Sequence, residues 1–272
     1  MHIPDILRSQ ILRTFGPQGG EWLDRLPAII EECTAQWQLT ACVNSEIMSY
    51  NYVGFAQSRE YGQVALKIGF PHFDLNTEMV AIKLYNGRNI CQCYEQDEGR
   101  SAMLLERLTP GYDLTTVANS RERIGIAAEL AAALPLPLEG TGLPSWSELA
   151  QKTFTKLRVQ INAGERMFRL LDLAERKLGE LENSGRARVL LHGDLNHWNI
   201  LKDCNGWKAI DPKGQAGVAC MEVGRFMLNE LEIAASNNPT ELMDEMTAVY
   251  FASQASTSFH AEFLYSIKGS QS

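Results

Sequence analysis

The stretch "HGDLNHWNILKDCNGWKAIDPKG", residues 192–214, decides the fold expected for the rest of the chain. It follows an apolar run that reads as a strand, and it contains Asn205-Gly206, a strong signal for a hairpin turn. The hairpin returns the chain so that Asp211 arrives beside Asn199, while the preceding loop presents Asp194 to a substrate hydroxyl. Amide and carboxylate oxygens are ligands that Mg²⁺ accepts in proteins. The stretch therefore predicts a magnesium site at Asn199 and Asp211, next to Asp194.

The spacing of these residues is typical of a phosphotransfer loop. His192-Gly193-Asp194, four residues and then Asn199 follow the pattern of a protein-kinase catalytic loop, with glycine in place of the usual arginine. Taken alone, each polar residue has a simpler interpretation as a loop cap or a strand end. The joint pattern, with an Asn-Gly hairpin between its members, favours the functional interpretation.

Two lysines compete for the role of contacting the nucleotide phosphates. Lys83 ends "VAIK", the short motif of the kinase lysine, but its neighbours have helical spacing. Lys67 lies in "QVALKIGF", which alternates as a strand and puts Ala65 and Lys67 on one face. The helix that follows supplies Glu78 as an ion-pair partner. The strand-then-helix order favours Lys67 paired with Glu78, and makes Lys83 a helix-surface residue.

The loop that should cover the phosphates is sparse in glycine. Only Gly54 and Gly62 precede Lys67 in this region. Gly54, in "NYVGFAQS", is the candidate for close approach of the backbone to a nucleotide. A lone glycine is equally typical of a turn or bulge.

The order of predicted elements indicates an α+β fold. Residues 1–40 read as a helical segment, residues 41–108 as a small antiparallel sheet with one helix, and residues 109–272 as a helical body that contains the hairpin. This order predicts two lobes with a cleft between them.

Composition excludes several classes of protein. The net charge of −8 argues against a nucleic-acid partner, because such proteins are basic at the contact surface. The longest apolar stretch, from Ile124, is interrupted by Glu129 and is shorter than the roughly twenty residues of a membrane span. The first ten residues lack the apolar run of a secretion signal, and the six cysteines are too sparse for a disulfide scaffold. We expect a cytoplasmic protein with reduced thiols.

Several segments together resemble the aminoglycoside phosphotransferase family, and within it the streptomycin 6-phosphotransferase and hydroxyurea phosphotransferase group. The matching segments run in family order: "GPQGGEWLDRLPAIIEECTAQWQL", "VALKIGF", "TEMVAIKLYNGRN", "AMLLERLTPG", "LLHGDLNHWNIL", "GWKAIDPKG" and "MEVGRFMLN". The resemblance implies a bilobal protein-kinase-like fold, ATP and Mg²⁺ as cofactors, and a small-molecule acceptor.

The resemblance also implies roles for individual residues. The catalytic residue is Asp194, the metal ligands are Asn199 and Asp211, and the nucleotide site includes Lys67, Glu78 and the hinge around Glu106, whose backbone would meet the adenine. Glu222 is implied to support the catalytic loop through hydrogen bonds.

The acceptor is left open by the sequence. An acidic row late in the chain suits a cationic acceptor, although such a row is also typical of a solvated helix face; its members are Glu230, Glu232, Glu241, Asp244 and Glu245. His197 is a candidate ligand or base, with loop stabilisation favoured.

Three other functions remain as alternatives. A kinase of another hydroxylated metabolite fits the same motifs. A non-catalytic nucleotide-binding protein is suggested by the 58 residues after Gly214, fewer than such relatives usually have. A metal-dependent hydrolase would use His192, Asp194 and Asp211.

Overall fold

The computed structural model describes residues 3–46, 48–138, 140, 142–160, 165–234 and 238–256. The chain divides into two compact units, Met1–Gly111 and Tyr112–Ser272. Both units mix helices with antiparallel strands.

The first unit begins with the long helix α1 (Asp5–Gln36), which the apolar spacing in this region predicts. Gly16 has φ +56° and precedes Pro17, so the helix kinks at this point, where proline has no amide to donate. The apolar stripe is buried; its members include Leu7, Ile11, Trp22, Leu23, Leu26, Ile29, Ile30 and Cys33.

The stripe of α1 packs against one face of a five-stranded antiparallel sheet. Its strand order is β1-β2-β3-β5-β4. The strands are β1 (Leu39–Asn44), β2 (Asn51–Ser58), β3 (Gly62–Gly69), β4 (Cys93–Asp97) and β5 (Ala102–Glu106).

The alternation predicted for residues 63–70 is present in β3. Leu66 and Ile68 belong to the core shared with α1, so the side chains of Ala65 and Lys67 extend from the opposite face. Helix α2 (Phe73–Tyr85) lies on that second face, because its Glu78 reaches Lys67.

The strand β1 and the ends of helix α2 complete the description of this unit. Strand β1 was not predicted, because its burial does not alternate cleanly and Ala41 has positive φ within a register shift. Helix α2 begins at Phe73, and no side chain caps its start. It ends at Tyr85, with Asn86 in the left-handed conformation that commonly terminates helices.

The second unit is mainly helical. Its helices are α3 (Ser120–Ala133), α4 (Trp146–Gln160), α5 (Glu165–Glu182), α6 (Gly224–Ile233) and α7 (Pro239–Ser256). Its strands are β7 (Leu136–Pro137), β8 (Arg188–Leu191), β9 (Ile200–Asp203), β10 (Gly206–Ala209) and β11 (Gln215–Val218), and β6 (Pro110–Asp113) spans the boundary between the units. The region predicted as a helical body with one hairpin therefore also contains β6, β7 and β11.

Strand β8 positions the loop that carries the site. It is the central strand of the sheet β11-β8-β7, and Val189 and Leu191 are buried with residues of α5 and β11. The chain leaves β8 at His192 and returns through the antiparallel hairpin β9-β10, whose turn contains Asn205. The six cysteines, which all lie within the described ranges, are thiols and form no disulfide with one another. Within the described ranges, no helix has both the length and the hydropathy needed to cross a membrane.

Candidate active site

The loop after β8 requires glycine at its second position. Gly193 has φ +79°, a conformation that side chains with a Cβ rarely adopt. A Cβ at this position would lie 2.7 Å from Oε1 of Gln215. Both effects explain why glycine replaces the arginine that is usual in protein kinases.

Side-chain amides hold the loop in shape between Asp194 and Asn199. Asn196 Oδ1 accepts the backbone amides of Trp198 and Asn199 at 3.0 and 3.1 Å, which forms a short 3-10 turn over His197–Asn199. The Nδ2 atoms of Asn196 and Asn199 donate to the Asp194 carbonyl at 3.1 and 3.0 Å. Since Nδ2 of Asn199 is engaged by this bond, Oδ1 is the atom of the side-chain amide that can coordinate a cation.

The hairpin brings Asp211 to the same end as Asn199. Ile200 pairs with Ala209, and the Ile210 amide donates to the Asn199 carbonyl at 2.9 Å. Asp211 itself has φ +57°, an unusual conformation for a residue other than glycine that is found often at functional sites.

The side-chain oxygens of Asn199 and Asp211 suit a magnesium ion whose remaining ligands include phosphate oxygens. Within the residues that the structure describes, no group of three or more His, Cys, Asp or Glu side chains could hold a metal ion alone. Asn199 and Asp211 provide one amide oxygen and one carboxylate, and Mg²⁺ is commonly held by one or two carboxylates plus substrate phosphates. Oxygen ligands without nitrogen or sulfur suit this hard cation.

His192 joins the loop to the hairpin. Its ring is fully buried; Nε2 lies 2.7 Å from the Ile210 carbonyl, and Nδ1 accepts the Asp194 amide at 3.2 Å. Burial lowers the pKa of His192 to about 4, against the opposing effect of the Ile210 hydrogen bond, so the ring is neutral near pH 7. Both ring nitrogens are engaged by backbone groups, which leaves neither available to a metal and counts against the hydrolase alternative based on His192, Asp194 and Asp211.

Glu222 supports the start of the loop from the other side. Its two carboxylate oxygens accept the amides of His192 and Gly193 at 2.7 and 3.0 Å, and the residue is 2% exposed. Burial raises the pKa of Glu222 to about 7, although both amide hydrogen bonds act to lower it. Through these hydrogen bonds Glu222 supports the catalytic loop, as the family resemblance implied.

Arg225 contacts the predicted catalytic residue and was not identified from the sequence. Its Nε lies 3.3 Å from Oδ1 of Asp194. Arg225 lies at the start of α6 and follows Glu222 by three residues, and Glu222 belongs to the 3-10 turn Ala219–Val223 that leads directly into α6. An arginine in "MEVGR" has no local signal that indicates which carboxylate it will meet.

The acidic row does not form one solvated face. Glu230 is fully buried and pairs with Arg123, whose Nη2 lies 2.6 Å away. Glu245 pairs with Arg121, whereas Glu232, Glu241 and Asp244 are exposed. The expectation that Glu230 binds an acceptor or lies on a solvated face was wrong. The sequence of a helix does not show which of its faces packs against the core.

In the first unit, β3 and α2 bring Lys67 and Glu78 together. Nζ of Lys67 lies 2.5 Å from Oε1 of Glu78, and the side chains are 3% and 9% exposed. Lys83 is exposed on α2. The register explains the difference, since Lys67 pairs with Met103 at the centre of the sheet.

Gly54 has a packing reason to be glycine. It pairs with Leu66, so its missing side chain would point to the face opposite Lys67. A Cβ at this position would lie 2.7 Å from the Tyr52 hydroxyl, and Tyr52 is fully buried. The predicted approach of a nucleotide at Gly54 stays a prediction.

Glu106 ends β5 and is tied to Gln92. The Glu106 amide donates to the Gln92 carbonyl at 2.7 Å, and its carboxylate accepts the Gln92 amide at 3.0 Å. The guanidinium of Arg107 lies 4.2 Å from the ring centroid of Phe55, which pairs with Ala65 and so shares the face of Lys67. The sequence did not indicate this cation–π contact.

Comparisons with known proteins agree on one family and one fold. The family model described as "Aminoglycoside/hydroxyurea antibiotic resistance kinase" matches residues 47–259. A streptomycin 6-kinase of Streptomyces glaucescens is 28% identical over 225 residues, which cover 80% of this chain and 71% of the relative. A hydroxyurea phosphotransferase of Kitasatospora aureofaciens is 29% identical over 239 residues, which cover 84% and 68%.

The structural comparison gives the fold. The amicoumacin kinase hAmiN, solved with AMP-PNP, Ca²⁺ and Ami, superposes with a TM-score of 0.61 at 14% identity, over 84% of this chain and 77% of that one. At this identity the match establishes the fold alone. It confirms the α+β fold of protein-kinase type that the sequence predicts.

Proposed function

Because the chain belongs to the aminoglycoside/hydroxyurea antibiotic resistance kinase family, we propose that it transfers the terminal phosphoryl group of ATP to a hydroxyl group of a streptomycin-type or hydroxyurea-type acceptor. The observation that carries the proposal is the hydrogen-bonded loop and hairpin of the second unit. This arrangement unites Asp194, Asn199 and the backbone next to Asp211 at one hairpin end.

Asp194 acts on the acceptor in this proposal. Its carboxylate accepts a hydrogen bond from the acceptor hydroxyl, orients that oxygen toward the terminal phosphorus and takes its proton as the new P–O bond forms. The bond from that phosphorus to the bridging oxygen of ATP breaks in the same step, and ADP leaves with that oxygen. Asn199 and Asp211 would hold Mg²⁺, which when bound offsets negative charge on the phosphate oxygens. The hydrogen bonds of Asn196 and Glu222 fix the backbone conformation of the loop, so that its polar groups reorganise little during the reaction.

The first unit binds the nucleotide in this proposal, through residues 41–108. Lys67, held extended by Glu78, contacts the phosphates, and the backbone near Glu106 meets the adenine. Ala65, on the face of Lys67, leaves room for the base. The AMP-PNP in the amicoumacin kinase supports an adenine nucleotide, and the need for ATP supports the cytoplasm as the place of action.

The experiment is ADP release by purified protein with MgATP and a panel of acceptors. Streptomycin, other aminoglycosides and hydroxyurea are tested one at a time, and the phosphorylated product is identified by mass spectrometry. Asp194→Asn should lower kcat by at least about a thousandfold and leave nucleotide affinity nearly unchanged. Asp24→Asn, the same chemical change on the exposed side of α1, should leave both quantities unchanged.

Each outcome separates the proposal from its alternatives. Equal rates in wild type and Asp194→Asn would refute the role of Asp194. Turnover only with some other hydroxylated compound would identify a kinase of a different metabolite. Nucleotide binding without turnover on any acceptor would favour a non-catalytic binding protein.

A further inference from the structure

One buried carboxylate in the second unit is surrounded by hydrogen-bond donors. Glu230 on α6 is fully buried. Its Oε1 accepts from Arg123 Nη2 and Ser120 Oγ, both at 2.6 Å. Its Oε2 lies 2.9 Å from Arg123 Nε and 2.6 Å from His197 Nε2. These four residues, Ser120, Arg123, His197 and Glu230, are called the Glu230 cluster below.

The hydrogen bonds of the cluster keep the Glu230 carboxylate ionised. Burial by itself raises the pKa of Glu230, but the hydrogen bonds from His197, Arg123 and Ser120 outweigh it and lower the pKa to about 2. Arg123 is also satisfied, since Nη1 donates to the carbonyls of Val117 and Ala118 at 2.7 and 3.0 Å. Such buried ion pairs contribute little net stability compared with apolar packing. The cluster therefore points to a role other than stability.

The cluster joins three separate parts of the chain. Ser120 and Arg123 lie on α3, Glu230 lies on α6, and His197 lies between the predicted catalytic residue and the predicted metal ligand Asn199. The ring of His197 stacks on Phe226 of α6 with centroids 4.4 Å apart. Nδ1 of His197 has no hydrogen-bond partner in the part of the chain that the structure describes, so we assign the ring proton to Nε2.

The other hydrogen bonds of the 3-10 turn are short-range or backbone bonds. Asn196 bonds Trp198 and Asn199 within the turn, and the Asn199 carbonyl accepts from the hairpin. The bond from His197 to Glu230 is a side-chain link from the turn to the helical body. It restrains the rotation of the turn, on which the direction of the Asn199 amide depends.

We propose that the Glu230 cluster positions the catalytic loop for phosphoryl transfer, with His197 and Glu230 as positioning residues. The proposal rests on the proposed function for its catalytic consequence. Catalysis of this kind is mostly alignment, so a displacement of about 1 Å at Asn199 can cost on the order of a hundredfold in rate.

A matched pair of substitutions isolates the hydrogen bond. His197→Gln keeps an N–H donor near the position of Nε2, whereas His197→Leu keeps comparable bulk without a donor. His197→Leu should lower kcat by about ten- to a hundredfold and change the nucleotide KM by less than about twofold, and His197→Gln should recover most of the loss. Arg121→Ala removes an exposed ion pair of the same helix α3 and should have no effect.

A second measurement does not depend on any acceptor. Hydrogen–deuterium exchange of peptides covering residues 192–200 reports the amides of Trp198 and Asn199, which Asn196 binds. Exchange in this region should be faster in His197→Leu than in His197→Gln, with no change in α1. If His197→Leu does not fold, Ser120→Ala, which removes one donor to Glu230, should give a smaller change in the same direction.

The outcomes distinguish this inference from the proposed function. Equal exchange and equal kcat in the leucine and glutamine variants would overturn the positioning role. Exchange that increases throughout the second unit would also overturn it, since that result indicates only lost stability. Absence of turnover with every acceptor would count against the proposed function, while the local exchange difference would still decide the inference.

Discussion

Replacing Lys67 by methionine should cost more stability than any comparable change at an exposed lysine. Lys67 Nζ lies 2.5 Å from Glu78 Oε1, and both side chains are almost fully buried. At this distance two unit charges attract by about 7 kcal/mol at an effective dielectric constant of 20, before the cost of desolvation is subtracted. Removing one partner of a buried pair leaves an uncompensated charge, which typically costs about 3–5 kcal/mol.

The prediction is tested with a double-mutant cycle. Lys67→Met, Glu78→Gln and the double variant are unfolded in urea, followed by tryptophan fluorescence and circular dichroism. Each single change should cost about 3–5 kcal/mol, and the double variant should cost at least about 2 kcal/mol less than their sum. The matched control is Lys83→Met, which changes an exposed lysine of α2 and should stay within about 0.5 kcal/mol of wild type.

The same variants test the assignment of the lysine. Lys67→Met should raise the KM for ATP or abolish turnover, whereas Lys83→Met should leave the KM unchanged. Strictly additive costs in the cycle would refute the buried-pair reasoning. A larger loss of ATP binding in Lys83→Met than in Lys67→Met would show that the "VAIK" motif, and not the strand lysine, meets the nucleotide.

Three further predictions concern the catalytic loop. Burial raises the pKa of Glu222 from its ordinary value of 4.5 to about 7, so its contribution to stability is present below about pH 4.5 and is lost as the pH rises through 7. Wild type should therefore lose up to about 3 kcal/mol relative to Glu222→Gln across this range in urea unfolding, and parallel pH profiles would contradict the shift. Arg225→Gln removes the cation beside Asp194 and should lower the KM of a cationic acceptor such as streptomycin by about three- to fivefold, with little change for neutral hydroxyurea; equal changes for both acceptors would count against a charge effect. Gly193→Ala should destabilise the protein by about 1–2 kcal/mol in the same urea assay, and Gln215→Ala in addition should recover only the part due to the steric clash; full recovery would show that the backbone conformation carries no cost.

Much of the fold could be predicted because its signals are local. The stripe of α1, the alternation of β3 and the Asn-Gly turn of the β9-β10 hairpin each depend on residues within a few positions of one another. Strand β1 was missed because its register is irregular between Thr40 and Val43, and β11 was missed because its four residues do not alternate. The family was also predictable, since its motifs occur in order along the chain, and the comparison with the family model confirms it.

The sequence by itself determined which residues are candidates for the chemistry. The spacing of His192, Asp194 and Asn199 is a property of one loop, and the strand-then-helix order selected Lys67 over Lys83. Such choices need only the periods of helix and strand and the geometry of one turn.

Only the tertiary structure decided how those candidates are held. Glu230, taken from the sequence as a surface charge, is buried against Arg123 and His197, which are 107 and 33 positions away. Arg225 meets Asp194 because the turn that carries Glu222 is hydrogen-bonded to the loop and leads directly into α6. The physical reason is that burial and ion pairing depend on which elements pack together, and that packing is a property of the whole chain.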